Sequence, residues 1–153
     1  MWSTFYFLNS EVVMADKELN PSSITKLYGV HPKLVSLMKE AIKQSPYMFI
    51  ISQGVRTAEY QNDLYQQGRT KPGKIVTNVD GYNRKSNHQV KADGLGYAVD
   101  IAIMVDGKVD WDDLTKYKEV GEHICKVAQE MGISISWGGR WKKFKDYPHF
   151  QLI

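Results

Sequence analysis

Two histidines and one aspartate stand where side chains of their kind could do chemistry. His88 lies in Ser86-Asn87-His88-Gln89, within a polar stretch. His149 lies in Asp146-Tyr147-Pro148-His149-Phe150. Asp100 interrupts the apolar run Ala98-Val99-Asp100-Ile101-Ala102. A carboxylate inside a buried strand is costly unless something pairs with it, and a metal ion or a cationic partner removes that cost. Two imidazoles and a carboxylate are a hydrolytic zinc set, three protein ligands with a fourth position left for water. Together the ligands carry one negative charge. A site holding Zn²⁺ therefore keeps an excess positive charge, which lowers the pKa of coordinated water toward ~7. Spacing alone does not select this reading, because two histidines and an aspartate so far apart are compatible with unrelated roles. The remaining histidines read as structural or solvated: His31 precedes Pro32 at a helix start, and His123 falls on the polar side of a helix.

The elements that must position these residues follow from pattern. Asn20 can cap a short helix that Gly29 ends, and Pro32 opens a second helix with Leu34, Leu37, Met38, Ala41 and Ile42 at helical spacing. Tyr47–Ile51 is a short apolar run that reads as a buried strand. Thr57 can cap a third helix reaching to about Gly68. Residues 69–96 form a polar loop, long enough in a small domain to suggest function. Tyr97–Met104 reads as a strand, and Asp106-Gly107 signals a hairpin into Val109. A further helix carries Leu114, Tyr117, Val120, Ile124, Val127, Ala128 and Met131 on one side and ends at Gly132. Strands at 133–137 and 150–153 close the chain. The expected fold is α+β, with helices on a small antiparallel or mixed sheet.

The chain has 153 residues, 42% hydrophobic and 24% charged, which suits one domain with its own core rather than a disordered chain. A net charge of +3 from 20 basic and 17 acidic residues is too mild to indicate nucleic-acid binding. It still favours an anionic polymer over a cationic one. The single cysteine, Cys125, excludes an intrachain disulfide and a cysteine-based zinc finger. No apolar run approaches the ~20 residues that span a bilayer. The aromatic start lacks a basic region and is broken by Asn9, Ser10 and Glu11, so no secretory signal is read. Residues 1–13 are expected to be a loose arm or to lie upstream of the functional start. The catalytic domain is expected over 14–153.

Ser86-Asn87-His88 followed by Gly96-Tyr97-Ala98-Val99-Asp100 resembles the Ser-x-His…Gly-x-Ala-x-Asp signature of the M15 zinc peptidases. These are the D-alanyl-D-alanine carboxypeptidases and the phage L-alanyl-D-glutamate endopeptidases. Gly54-Val55-Arg56-Thr57 with Gln61 and Leu64–Thr70 is similar to the family's arginine segment. Trp137-Gly138-Gly139 with Asp146–Leu152 is similar to its closing segment, so the resemblance runs over roughly residues 30–153. It implies a hedgehog/DD-peptidase-like fold and zinc held by His88, Asp100 and His149. It further implies Asp146 as general base, Arg56 at a substrate carboxylate or the developing oxyanion, and Gln61 and Ser86 as substrate contacts. Read without it, Asp146 could be a solvated charge among Lys142, Lys143 and Lys145, Arg56 and Gln61 could be helix residues, and Ser86 a turn residue. The cluster Trp137, Trp141, Phe144, Tyr147 and Phe150 reads as core or cleft wall.

Two features depart from the family pattern. Eleven residues separate His88 from Asp100 instead of six, so a stretch around Val90–Gly94 must loop out and Asp93 becomes a rival ligand. Arg140 follows Gly138-Gly139 where an acidic residue is expected. The function implied is a zinc-dependent peptidase cutting peptidoglycan stem peptides, of the phage or prophage endolysin kind. It would be made in the cytoplasm, reach the wall once the membrane is opened, and work as a monomer without nucleic acid or membrane insertion. Two alternatives stay open: a D-alanyl-D-alanine or L,D-carboxypeptidase, which Arg56 would suit, and a wall-binding or zinc-structural domain without catalysis.

Overall fold

Among the described residues, four side chains begin the four α-helices by accepting a backbone N–H that the helix itself cannot satisfy. Asn20 accepts from Ser23 N (2.8 Å) at α1, Pro21–Lys26; His31 Nδ1 accepts from Lys33 N (3.1 Å) at α2, Pro32–Ala41. Thr57 accepts from Tyr60 N (3.0 Å) at α3, Ala58–Gln66, and Asp113 from Lys116 N (3.3 Å) at α4, Leu114–Met131. Gly132 closes α4 in the left-handed conformation, φ 69°. His31 is thus a capping residue, and His123 donates from Nε2 to the Ala41 carbonyl (2.7 Å), joining α4 to α2. Both have the structural roles expected of them.

The computed structural model describes residues 5–8 and 11–153, with side chains from residue 15 onward. Of the arm expected over 1–13, residues 1–4 and 9–10 lie outside the described residues; the backbone at Phe5–Leu8 (β1) pairs antiparallel with Glu11–Met14 (β2). The main sheet contains β3 (Phe49–Gln53), β4 (Ala98–Val105), β5 (Lys108–Asp110), β6 (Ile135–Trp137) and β7 (His149–Leu152). Its order is β3-β4-β7-β6, with β5 pairing the far end of β4, and every pairing is antiparallel. The α+β expectation holds, with the antiparallel form of the sheet. Asp106 and Gly107 both take positive φ (51° and 77°), the geometry of the tight β4–β5 turn.

Alternation along the strands separates core from site. Val99, Ile101 and Ile103 of β4 and Phe150 of β7 pack with Leu34, Leu37 and Met38 of α2 and with Tyr117, Val120 and Ile124 of α4. Asp100, His149 and Gln151 occupy the intervening positions and therefore project from the opposite face. Three expectations shift. The first core strand starts at Phe49 rather than Tyr47, because the chain is still turning after Pro46. Leu114 and Met131 are exposed because they lie at the ends of α4, beyond the sheet that buries its middle.

Two glycines let segments of the future site come close. A Cβ on Gly54, after β3, would collide with the Lys26 carbonyl oxygen. One on Gly138 would collide with the Asp146 carbonyl oxygen, whose residue donates its own N–H to the Gly138 carbonyl (3.0 Å). Gly138→Ala is therefore expected to cost ~1–3 kcal/mol, the usual penalty for overpacking a tight contact. Urea unfolding of the two proteins measures it, and an unchanged midpoint would contradict the close approach.

Candidate metal centre and active site

Four chain segments meet at one point on the polar face of the sheet. Asp100 comes from β4 and His149 from β7, directly opposite each other in the strand register. His88 comes from the long loop between α3 and β4, and Arg56 from the segment between β3 and α3. Asp100 Oδ1 lies 3.0 Å from His149 Nδ1 and 3.3 Å from His88 Nε2. One donor atom from each of the three residues lies within 4.8 Å of the others, and this is the metal-capable group among the described residues. Ligands on one tetrahedral ion with ~2.0 Å bonds stand ~3.3 Å apart, so the spacing suits a small divalent cation.

The hydrogen bonds on the far side of each ring decide which nitrogen faces inward. His88 Nδ1 donates to the Gly54 carbonyl (2.9 Å), which leaves Nε2 with a lone pair. His88 is 1% exposed and its Nε2 has no hydrogen-bond partner, an uncompensated buried acceptor aimed at the centre. His149 Nε2 meets Gln151 Oε1 at 2.7 Å and Nδ1 meets Asp100 Oδ1 at 3.0 Å, so the inward nitrogen either shares a hydrogen with Asp100 or, once that hydrogen is gone, presents a lone pair. Two lone pairs and a carboxylate oxygen converging in a buried space repel one another unless a cation sits between them. Burial opposes charge on Asp100, but the His149 hydrogen bond and the two imidazoles facing it override that and hold the carboxyl far below the usual range. Burial likewise opposes the His149 imidazolium, yet Asp100 and Gln151 raise its pKa above the ordinary value. Both directions favour positive charge at the centre, the kind of charge a bound metal would supply.

Arg56 grips the outer edge of this set. Its Nη2 donates to Asp100 Oδ2 (3.0 Å), Nε to Gln53 Oε1 (3.1 Å) and Nη1 to Gln61 Oε1 (3.2 Å). Three of the five guanidinium hydrogens are so used, and Asp100 is turned to present Oδ1 to the histidines. Gln61 is fully buried and also donates to the Val79 carbonyl (2.9 Å), so both ends of its amide are engaged within the protein. It reaches the site through Arg56 and the loop, not through the direct substrate contact expected for it. Ser86 Oγ accepts from the His88 N–H (3.1 Å), which shapes the turn carrying His88 and leaves the hydroxyl hydrogen to donate elsewhere.

The polar loop is ordered by side chains of α3 and of the turn that follows it. Gln61, Asn62 and Arg69 bind backbone carbonyls of Val79, Asp80 and Thr77, and Gln89 ties its later part to Gly81. The extra stretch before β4 folds back on itself through Lys91 N to Leu95 O (2.9 Å). Asp93 spends its carboxylate on the Leu95 N–H and the Tyr97 hydroxyl, outside the metal-capable group, which contains Asp100. Arg140 pairs with Glu122 of α4.

Asp146 stands at the open edge, outside the ligand set but within electrostatic reach of it. Its carboxyl is raised above the ordinary range, first by the surrounding protein and then by the Asp100 charge, although Arg56 and both histidines pull the other way. Although its surface reaches solvent, neighbouring protein crowds the carboxyl enough to disfavour its charge. Trp141 packs on the His149 ring with centroids 5.3 Å apart, while Trp137 and Phe150 stack within the core. Phe144 is 83% exposed and belongs to neither.

Sequence reasoning missed Gln53, Asn87 and Gln151. Gln151 had a readable signal: it follows His149 by two residues in a strand and so shares its face. Gln53 and Asn87 carry no such signal, because only the fold brings them to Arg56 and Gln151.

Comparison with known proteins agrees with this geometry. Residues 16–151 match the family described as phage L-alanyl-D-glutamate peptidase. The chain is 35% identical over 132 residues to the peptidoglycan L-alanyl-D-glutamate endopeptidase CwlK of Bacillus subtilis, covering 83% of this chain and 74% of that one. It is 30% identical over 126 residues to the L-alanyl-D-glutamate peptidase of Escherichia phage T5, covering 82% of each. The crystal structure of the L-Ala D-Glu endopeptidase ChiX from Serratia marcescens superposes with a TM-score of 0.70 at 31% identity, over 90% of this chain and 91% of that one. By sequence match and by fold, the chain belongs to the phage L-alanyl-D-glutamate peptidase family.

Proposed function

We propose that this protein is a zinc-dependent endopeptidase that hydrolyses the L-alanyl-D-glutamate bond of peptidoglycan stem peptides. The observation that carries the reading is the convergence of His88 Nε2, Asp100 Oδ1 and His149 Nδ1, with the first buried and otherwise unpartnered. Zinc held there by His88, Asp100 and His149 would supply Lewis acidity and lower the pKa of water. The protein's own groups do the rest. Asp146 takes a proton from the attacking water as its oxygen adds to the scissile carbonyl carbon. As the C–N bond breaks, Asp146 returns that proton to the departing D-glutamyl amine. Arg56 holds Asp100 in place and keeps two N–H groups for the carbonyl oxygen as negative charge develops on it. Ser86 donates its hydroxyl hydrogen to the substrate backbone, and Trp141 walls the cleft beside His149.

All of these groups come from one chain, so the site is complete in a monomer. Among the described residues no helix is long and apolar enough to cross a membrane. The protein reaches the wall once the membrane is opened. The carboxypeptidase alternative is disfavoured because the matching family and relatives are named as L-alanyl-D-glutamate peptidases.

One chemically defined stem peptide tests the bond. Mass spectrometry of the digest is expected to show a fragment ending in L-alanine and another beginning with D-glutamate. Free D-alanine as the sole product would overturn the endopeptidase reading.

A further inference from the structure

Gln151 lies beside the site without being one of its ligands. Its Oε1 sits 2.7 Å from His149 Nε2 and also accepts from Asn87 Nδ2 at 3.1 Å. Asn87 directly precedes His88, so one amide oxygen links the two segments that carry the imidazoles. The Asn87 donor has a further consequence. A glutamine amide can turn either its oxygen or its nitrogen toward a neighbour. An N–H from Asn87 favours the orientation with oxygen inward, and oxygen inward demands a hydrogen on His149 Nε2. The Nδ1 lone pair then faces Asp100 and the centre. With the amide reversed, the hydrogen would move to Nδ1 and close that nitrogen to any metal.

We propose that Gln151, oriented by Asn87, is a positioning residue that holds His149 in its metal-binding tautomer and couples its placement to the His88 turn. This rests on the metal centre proposed above. Partners of this kind typically change metal affinity 10–100-fold when removed.

The test compares zinc dissociation constants, measured by competition with a chromophoric chelator, with the unfolding midpoints of the metal-free proteins. Gln151→Met keeps length and loses the acceptor; it is expected to weaken zinc ~10–100-fold. Gln151→Glu can only accept and is expected to restore affinity to within a few-fold of the parent. Asn87→Ala is expected to weaken zinc less. Combined with Gln151→Met it should add nothing further, because it acts through the same oxygen. A merely structural role would lower the metal-free midpoint and leave zinc affinity alone. Should Gln151→Met not fold, Asn87→Ala with Gln151→Glu carries the comparison. Parent-like zinc affinity in Gln151→Met, or in Asn87→Ala where that variant stands in, overturns the proposal while leaving the metal centre intact. A parent protein that binds no zinc overturns both.

Discussion

Alanine at His88 or at His149 is expected to abolish hydrolysis of the stem peptide, lowering kcat/KM by ~10³-fold or more, on the order of 4 kcal/mol of transition-state stabilisation. Each substitution removes one of three donor atoms that share a single point, and neither neighbour can replace it. Asp100 Oδ1 already faces both rings at 3.0 and 3.3 Å, and its Oδ2 is held by Arg56. Zinc content, measured by mass spectrometry on the purified variants, is expected to fall with activity. The parent treated with a chelator should behave like the variants and recover on adding zinc. The variants themselves should not recover at stoichiometric metal. Full zinc occupancy in His88→Ala together with lost activity would assign His88 to some other step. Both histidines are nearly inaccessible, so circular dichroism of each variant is needed to confirm that the sheet survives.

Asp146→Asn is expected to behave differently: zinc retained at parent level, fold unchanged, and turnover lowered ~10²–10⁴-fold, the usual contribution of a positioned general base. The amide keeps the shape of the carboxylate and cannot accept the water's proton. The contrast with the histidines is the informative part, because it separates a group that moves a proton from those that would hold the ion. The pH profile provides a second readout. A base is active when deprotonated, so the rate rises as pH climbs through its pKa. The protein around Asp146 and the Asp100 charge place that pKa above the ordinary carboxylate range. The parent should therefore lose activity on acidification sooner than a solvent-exposed carboxylate would predict, and this acid limb should be absent from the residual activity of Asp146→Asn. Parent-like lysis of cell walls by the variant would remove Asp146 from the mechanism.

Local physics made much of the molecule legible. Asn20 and Thr57 announce helices through capping chemistry, and each caps one. Asp106-Gly107 announces a tight hairpin and forms it with both residues at positive φ. Asp100 announces itself as a charge in an apolar strand. The metal-capable trio was legible only because Ser86–Asp100 and Asp146–Leu152 resemble a known signature; spacing alone left it open. What local pattern could not provide were partners brought together across the fold. Gln61 looked like a cleft residue on an exposed helix face, yet it is fully buried beneath Arg56 and the loop. Asp93 and Asp100 were rivals until the extra loop folded back and gave Asp93 to the Tyr97 hydroxyl.

By itself, the sequence determined the elements, the apolar face of each, and the residue types able to hold a cation and move a proton. These depend on periodicity, capping and side-chain chemistry, which act over a few residues. Only the tertiary structure decided that His149 stands across from Asp100 in the sheet, that the Gly54 carbonyl and Gln151 meet the outer nitrogens of His88 and His149, and that Arg56 spends donors on Asp100, Gln53 and Gln61. Those are contacts between atoms tens of residues apart. Their geometry exists only once strand register and the close approach at Gly54 and Gly138 have set the distances.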